Sequence, residues 1–104
     1  MRLVILESPY AGDIVRNRQY LQDCILDSLR RGEAPLASHR LYTAALDDGN
    51  PTERALGIAA GLAWAAVADA VVVYDDYGIS PGMAAAIEIH ENRNRKIEYR
   101  KIRT

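Results

Sequence analysis

The chain alternates between two hydrophobic patterns, short continuous apolar runs and longer runs in which apolar residues recur at helical spacing. Residues 3–6 and 70–74 form the clearest continuous runs, which are typical of strands covered on both faces of a sheet. Between residues 14 and 29 the spacing is helical, with Asp13 placed to cap the helix and Gly32 to end it. The pattern therefore predicts a strand followed by a helix at the start of the chain.

The rest of the chain continues this alternation. The remaining predicted elements are, in chain order, a weak strand at 34–38, a helix from Pro51-Thr52 to about Val67, the strand at 70–74, a helix over 81–92 and a strand over 96–102. Pro35 marks the weak strand as an edge strand or as its first residue, and residues 40–51 are expected to be the loosest stretch. Strands that alternate with helices predict a single α/β domain over residues 1–104, with a Rossmann/flavodoxin-like, doubly wound parallel sheet of about four strands.

Composition agrees with a globular domain. Of the 104 residues, 49% are hydrophobic and 26% are charged, so the chain can bury a core without a metal or a disulfide. The single cysteine, Cys24, falls on the apolar face of the first helix and is expected to be a buried structural thiol. Neither a metal site nor a cofactor is predicted, because no Cys/His spacing suits one.

Charge and hydropathy limit the partners. The net charge is −1, so nothing indicates a nucleic-acid partner, and the basic residues near the C-terminus fit either a solvated strand end or a binding patch. The apolar run at 58–73 is interrupted by Gly61 and Asp69 and is too short to span a bilayer. We therefore expect no membrane association and, without a visible signal segment, a cytoplasmic location.

Two loops carry most of the functional information, one at 8–13 after the first strand and one at 78–83 after the strand at 70–74. Small residues at a strand-to-helix turn let a ligand approach the backbone, and the N–H groups of the first helical turn face that ligand. Because the carboxyl ends of parallel strands meet at one edge, both loops are predicted to line one pocket for a phosphate, sugar or carboxylate group. The predicted ligand-binding residues are Ser8, Tyr10, Ala11, Gly12, Asp13, Asn17, His39, Asp76, Gly78, Ser80, Gly82 and Met83.

Other polar residues leave alternatives open. His39 follows the second strand, where it is either a hydrogen-bond donor or acid/base group of the pocket or a surface histidine. Asp75 and Asp76 are adjacent in an extended chain, so at most one of them is expected to face the pocket, to hold a ribose hydroxyl or orient a nucleophile. Solvent exposure is expected for His90, and for at least one of the residues at positions 17 and 20.

Together these residues resemble the nucleoside 2-deoxyribosyltransferase-like superfamily, which includes deoxynucleoside monophosphate N-glycosidases, and within it a small branch common in bacterial and phage genomes. The resemblance covers nearly the whole chain and rests on Ser8 to Asp13, Tyr20, Ser38-His39, Trp64, Ala68-Asp69 and Asp76 to Met83. It implies a domain in which a glutamate nucleophile, positioned by an aspartate, cleaves a deoxyribosyl N-glycosidic bond. It also implies subunits that pair to complete the site.

The catalytic carboxylates of that superfamily are altered in this chain. Ala84–Ala86 occupy the helical turn in which its glutamate is expected, and the nearest carboxylate, Glu88, is shifted along the helix. The positioning aspartate, expected about three residues before Trp64, is replaced by Gly61 or a neighbouring apolar residue. The pocket is therefore predicted to be better retained than its catalytic acids.

Three functional hypotheses follow. The first is a protein that binds a nucleoside or nucleotide and sequesters a nucleotide signal, because both binding loops are present and both catalytic positions are altered. The alternative is an active N-glycosidase or 2-deoxyribosyltransferase that uses Glu88 as nucleophile, aided by Asp75 or its neighbour Asp76. A structural or interaction role without a small ligand is the third. The apolar residues between 58 and 67 also predict a homodimer or a larger assembly.

Overall fold

The computed structural model describes residues 1–103 and contains the predicted alternation of strands and helices. Its elements are, in chain order, β1 (Arg2–Glu7), α1 (Ile14–Arg30), β2 (Glu33–Leu36), α2 (Ser38–Leu41), α3 (Pro51–Ala65), β3 (Ala70–Tyr74), α4 (Pro81–Asn92) and β4 (Ile97–Arg100). The Asp13 and Ser80 side chains accept hydrogen bonds from the N–H groups of Arg16 and Met83. They therefore cap α1 and α4 as the sequence predicts.

The four strands form one parallel sheet in the order β2-β1-β3-β4. α1 packs on one face, and α3 and α4 pack on the other, which makes this a doubly wound α/β domain of the Rossmann/flavodoxin-like type. The chain leaves β1 toward β2 and leaves β3 toward β4, so the strand order reverses between β1 and β3. In open α/β sheets, ligands bind at such a switch point.

Side chains along β1 alternate between the two faces of the sheet. Val4 and Leu6 belong to the core beneath α1, whereas Ile5 belongs to the core beneath α3 and α4. Cys24 is fully buried in the α1 core, and this burial raises the pKa of its thiol to about 12, as expected for a structural thiol. By the same alternation Glu7 lies on the face of the sheet that carries α3 and α4.

Both edge strands are shorter than predicted, and one helical turn was not predicted. β4 ends before Ile102, because the Asp76 carboxylate accepts the N–H groups of Ile102 and Arg103 in place of a strand neighbour. β2 ends at Leu36 instead of residue 38, and a helical turn that the sequence pattern did not indicate, α2, covers the end of the predicted strand and the start of the predicted loose stretch. Pro35 lies in β2 at the edge of the sheet, where its missing N–H is tolerated.

A buried ion pair joins the two edge strands. The two terminal nitrogens of the Arg100 guanidinium each donate to one carboxylate oxygen of Glu33 at 2.7 Å, and both side chains are buried. This pairing holds the pKa of Glu33 below its usual value.

None of the described helices is long and apolar enough to cross a membrane.

Candidate functional site

A cavity of about 670 Å³ opens at the switch point, at the carboxyl ends of β1 and β3. Both loops singled out from the sequence line it, together with α2 and one side each of α3 and α4. The residues predicted to bind a ligand that contribute to this lining are Ser8, Tyr10, Ala11, Gly12, His39, Ser80, Gly82 and Met83. The fold therefore brings the two strand-to-helix turns into one site.

The first loop is held in place by Asn17. Its side-chain amide donates to the backbone carbonyls of Tyr10 and Ala11 at 3.2 and 3.0 Å. Asn17 is 2% exposed and Tyr20 is fully buried, so the prediction that at least one of them is exposed was wrong. Asn17 lies behind the loop rather than in the cavity. Asp13 does not line the cavity either, because its carboxylate caps α1 by accepting the N–H of Arg16.

The second loop presents the N-terminus of α4 to the cavity. Ser80 caps the N–H of Met83, Pro81 has no N–H, and the N–H of Gly82 has no acceptor within the helix. A Cβ atom added at Gly82 would meet nothing within 4 Å. A ligand can therefore approach this backbone closely, and the helix end favours an anionic group there.

Ser8 and His39 form a polar pair in the lining. Ser8 Oγ and His39 Nε2 lie 3.1 Å apart, which is hydrogen-bond distance, and Ser8 is 3% exposed. The other ring nitrogen, Nδ1 of His39, is buried and lacks a hydrogen-bond partner within residues 1–103. Burial lowers the pKa of His39, although the nearby Glu7 carboxylate opposes this shift, so the imidazole is neutral at pH 7.

Glu7 and His90 form a second polar pair that sequence reasoning missed. Both are buried and both line the cavity, with Nε2 of His90 3.7 Å from Oε1 of Glu7. The guanidinium of Arg95 lies 2.9 Å from Nδ1 of His90 and can only donate, so Nδ1 accepts and the His90 proton is on Nε2. The prediction that His90 is solvated was therefore wrong, because α4 turns this residue toward the sheet.

The remaining lining combines an apolar wall with a charged rim. Tyr42, Leu46 and Leu62 contribute apolar surface, and the indole N–H of Trp64 donates to the Tyr42 hydroxyl at 2.7 Å. Arg54 lies at the rim. The carboxylates in the lining are those of Glu7, Asp48 and Glu53. Within residues 1–103, no three His, Cys, Asp or Glu side chains converge as a metal ion requires.

Several residues predicted for the site lie outside the cavity. Asp75 pairs with Lys101 at 2.7 Å, and Asp76 binds the Tyr20 hydroxyl and the backbone after β4, so both carboxylates have partners elsewhere. Gly78 closes the turn after β3 with a positive φ of 83°. Glu88 is exposed on α4 and does not line the cavity, whereas Ala85 and Ala86 do.

Gly61 marks a close approach between α3 and α2. A Cβ atom at this position would lie 2.8 Å from Ser38 Oγ and 3.2 Å from Ser38 Cβ. One turn earlier, a Cβ atom at Gly57 would lie 3.1 Å from Leu46. Gly61 lets α2, and with it His39, pack against α3, and Gly57 does the same for the segment that follows α2. An aspartate at position 61 would not fit this contact without a shift of α2.

The sequence contains a weak indication that Glu7 belongs to the site. Glu7 ends an apolar run and shares a strand face with Ile5, which places it at the carboxyl edge beside Ser8. His90 gave no such signal, because its burial depends on how α4 is rotated against β1. These two residues add an acidic and a hydrogen-bonding group to the predicted site.

Comparisons with known proteins give a family but no activity. A family model described as a domain of unknown function (DUF7768) matches residues 2–100, which is nearly the whole chain. No curated protein and no solved structure matches the chain. The chain therefore belongs to the DUF7768 family.

Proposed function

We propose that the cavity binds a nucleoside or a nucleoside monophosphate and holds it without converting it. The observation that carries this proposal is the meeting of both strand-to-helix loops in one cavity at the switch point of the sheet. Its volume, about 670 Å³, lies within the range of roughly 300–1,000 Å³ that is usual for small-molecule sites. A ligand of this class would also fit a sequestering role for a nucleotide signal.

The lining supports each part of such a ligand. Tyr10 offers an aromatic face on which a base can stack, and the N-terminus of α4 offers the free N–H of Gly82 and the positive end of the helix dipole for a phosphate. Arg54 is balanced by the carboxylates of Asp48 and Glu53 in the same lining. This balance favours at most one phosphate over a di- or triphosphate, because further anionic groups would face an acidic rim.

The alternative, cleavage of an N-glycosidic bond, receives no support from Glu88 or Asp75. Glu88 is exposed on α4, and Asp75 is paired with Lys101 outside the cavity. A nucleophile must reach the reacting atom at about 3–3.5 Å, which a carboxylate outside the cavity does not do. We therefore expect a bound ligand to be recovered intact.

The test combines binding with product analysis. The protein is titrated in a calorimeter with the common ribo- and 2′-deoxyribonucleosides and their 5′-mono- and triphosphates, and each ligand is then recovered and chromatographed. We expect saturable binding of at least one nucleoside or monophosphate, weaker binding of its triphosphate, and intact recovery. Release of free base by wild type would overturn the claim that the ligand is held unconverted, and its disappearance in Glu88→Ala would establish the alternative as stated. No binding by any ligand would refute the proposal.

A further inference from the structure

Glu7 presents a carboxylate to the cavity without a hydrogen-bond partner in residues 1–103. Its side chain is 10% exposed, and it lines the cavity, so the surface that it keeps faces the ligand space. Nε2 of His90, at 3.7 Å from Oε1, is too far for a normal hydrogen bond. A carboxylate only accepts hydrogen bonds, and a buried one without donors costs free energy. Glu7 is therefore arranged to receive donors from a ligand.

Among the described residues, no Lys or Arg side chain lies at ion-pair distance from Glu7, and the one basic side chain at that distance is His90. The Arg95 guanidinium binds Nδ1 of His90, and the proton on Nε2 of His90 then faces Glu7. Nε2 lies 3.7 Å from Oε1 of Glu7, beyond normal hydrogen-bond distance, so the carboxylate keeps its acceptor positions free. Hydroxyl groups of a ligand are donors from which such a carboxylate can accept hydrogen bonds.

The position of Glu7 indicates which part of a ligand it meets. It ends β1, immediately before the loop that carries Tyr10, and faces the same cavity as the N-terminus of α4. If a base stacks on Tyr10 and a phosphate binds at Gly82, the sugar between them passes the end of β1. A ribose offers two adjacent O–H donors, which match the two oxygens of one carboxylate.

We propose that the Glu7 carboxylate accepts hydrogen bonds from the 2′- and 3′-hydroxyls of a ribose, so that the cavity selects ribonucleosides and ribonucleotides over 2′-deoxy counterparts. This inference rests on the proposed function and names its substrate class. The selection is opposite to the deoxyribosyl preference that the sequence resemblance implies. A lost hydrogen bond to a charged group corresponds to roughly 10- to 100-fold in affinity, and we expect a preference of that size.

The experiment measures dissociation constants for matched pairs of ligands that differ only in the 2′-hydroxyl. Wild type, Glu7→Gln and Glu91→Gln are titrated with each ribonucleoside 5′-monophosphate and its 2′-deoxy form. Glu91 is exposed on the same helix as His90 and serves as the matched control. We expect the ribo preference in wild type and in Glu91→Gln. In Glu7→Gln it should fall to a few-fold, because the amide keeps one acceptor oxygen only.

The outcomes separate this inference from the proposed function. Binding of both members of a pair with equal affinity to wild type overturns the role of Glu7 and leaves nucleoside binding intact. A ribo preference that survives in Glu7→Gln also overturns it. No binding by any ligand overturns the proposed function and this inference together. The wild-type comparison needs no variant, so equal affinities overturn the inference even where Glu7→Gln fails to fold.

Discussion

Ser8 Oγ and His39 Nε2 lie 3.1 Å apart and join the end of β1 to α2 across the floor of the cavity. The two residues are separated by 31 positions in the chain, and the parallel pairing of β1 with β2 brings the ends of their strands together. One ring nitrogen of His39 is thereby occupied, while Nδ1 stays buried without a partner in the described residues. A buried neutral histidine in this state makes the stability of the fold depend on pH.

The free energy of unfolding should fall as the pH is lowered below about 6.5, the usual pKa of histidine, and part of this fall should come from His39. Burial lowers the pKa of His39 in the folded state. Between the two pKa values the unfolded chain binds a proton that the folded chain does not, so acid favours unfolding. Urea denaturation at pH 7.5 and 5.5 measures the effect. His39→Gln should lose less stability over this interval than wild type, and an equal loss in both proteins would contradict the assignment.

The Asn17→Ala variant should be destabilised because two carbonyls of the first loop lose their donor. The amide of Asn17 is buried and binds the carbonyls of Tyr10 and Ala11. Leaving such groups unsatisfied costs roughly 1–3 kcal/mol. Chemical denaturation gives this difference. Gln19→Ala, an exposed change on the opposite side of α1 from Asn17, should stay within about 0.5 kcal/mol of wild type. Equal stability of the two variants would show that Asn17 does not hold the loop.

The predicted homodimer concerns the outer face of α3. Leu56, Trp64 and Val67 are 62%, 51% and 66% exposed on or just after this helix. Exposed apolar side chains that share one helix face are candidates for an interface between subunits. We expect light scattering to give a dimer mass for wild type at micromolar concentration, and a monomer mass for the double variant Leu56→Glu/Val67→Glu. Leu29→Glu on α1, 46% exposed, is the control and should leave the dimer intact. A monomeric wild type would exclude the homodimer.

The parts of the fold that the sequence predicted depend on local patterns. The continuous apolar runs identified β1 and β3, and the caps Asp13 and Ser80 located the starts of α1 and α4. The alternation of strands and helices then implied a parallel sheet with a switch point. Placing both loops at one edge followed from topology alone. No contact between distant side chains was needed.

The parts that the sequence did not predict depend on contacts between distant residues. Asp76 binds Tyr20, 56 positions away, and the backbone after β4, so its carboxylate is not free for a ligand. His90 is buried and lies against Arg95 and Glu7, and the hydrophobic periodicity of α4 does not indicate these contacts. The sequence resemblance implies a catalytic aspartate near the position where this chain has Gly61. In the structure it is the point where α3 approaches Ser38.

The most direct test of the central claim places a side chain in the cavity at Gly82. A Cβ atom there meets nothing within 4 Å, so Gly82→Leu should fold as wild type does while filling the space beside the N-terminus of α4. Ala84→Leu places the same side chain at an exposed position of the same turn, outside the cavity lining. Calorimetric titration with the nucleoside or monophosphate that wild type binds compares the three proteins. The account predicts that Gly82→Leu loses at least about tenfold in affinity while Ala84→Leu binds as wild type. Undiminished binding by a folded Gly82→Leu protein would contradict it.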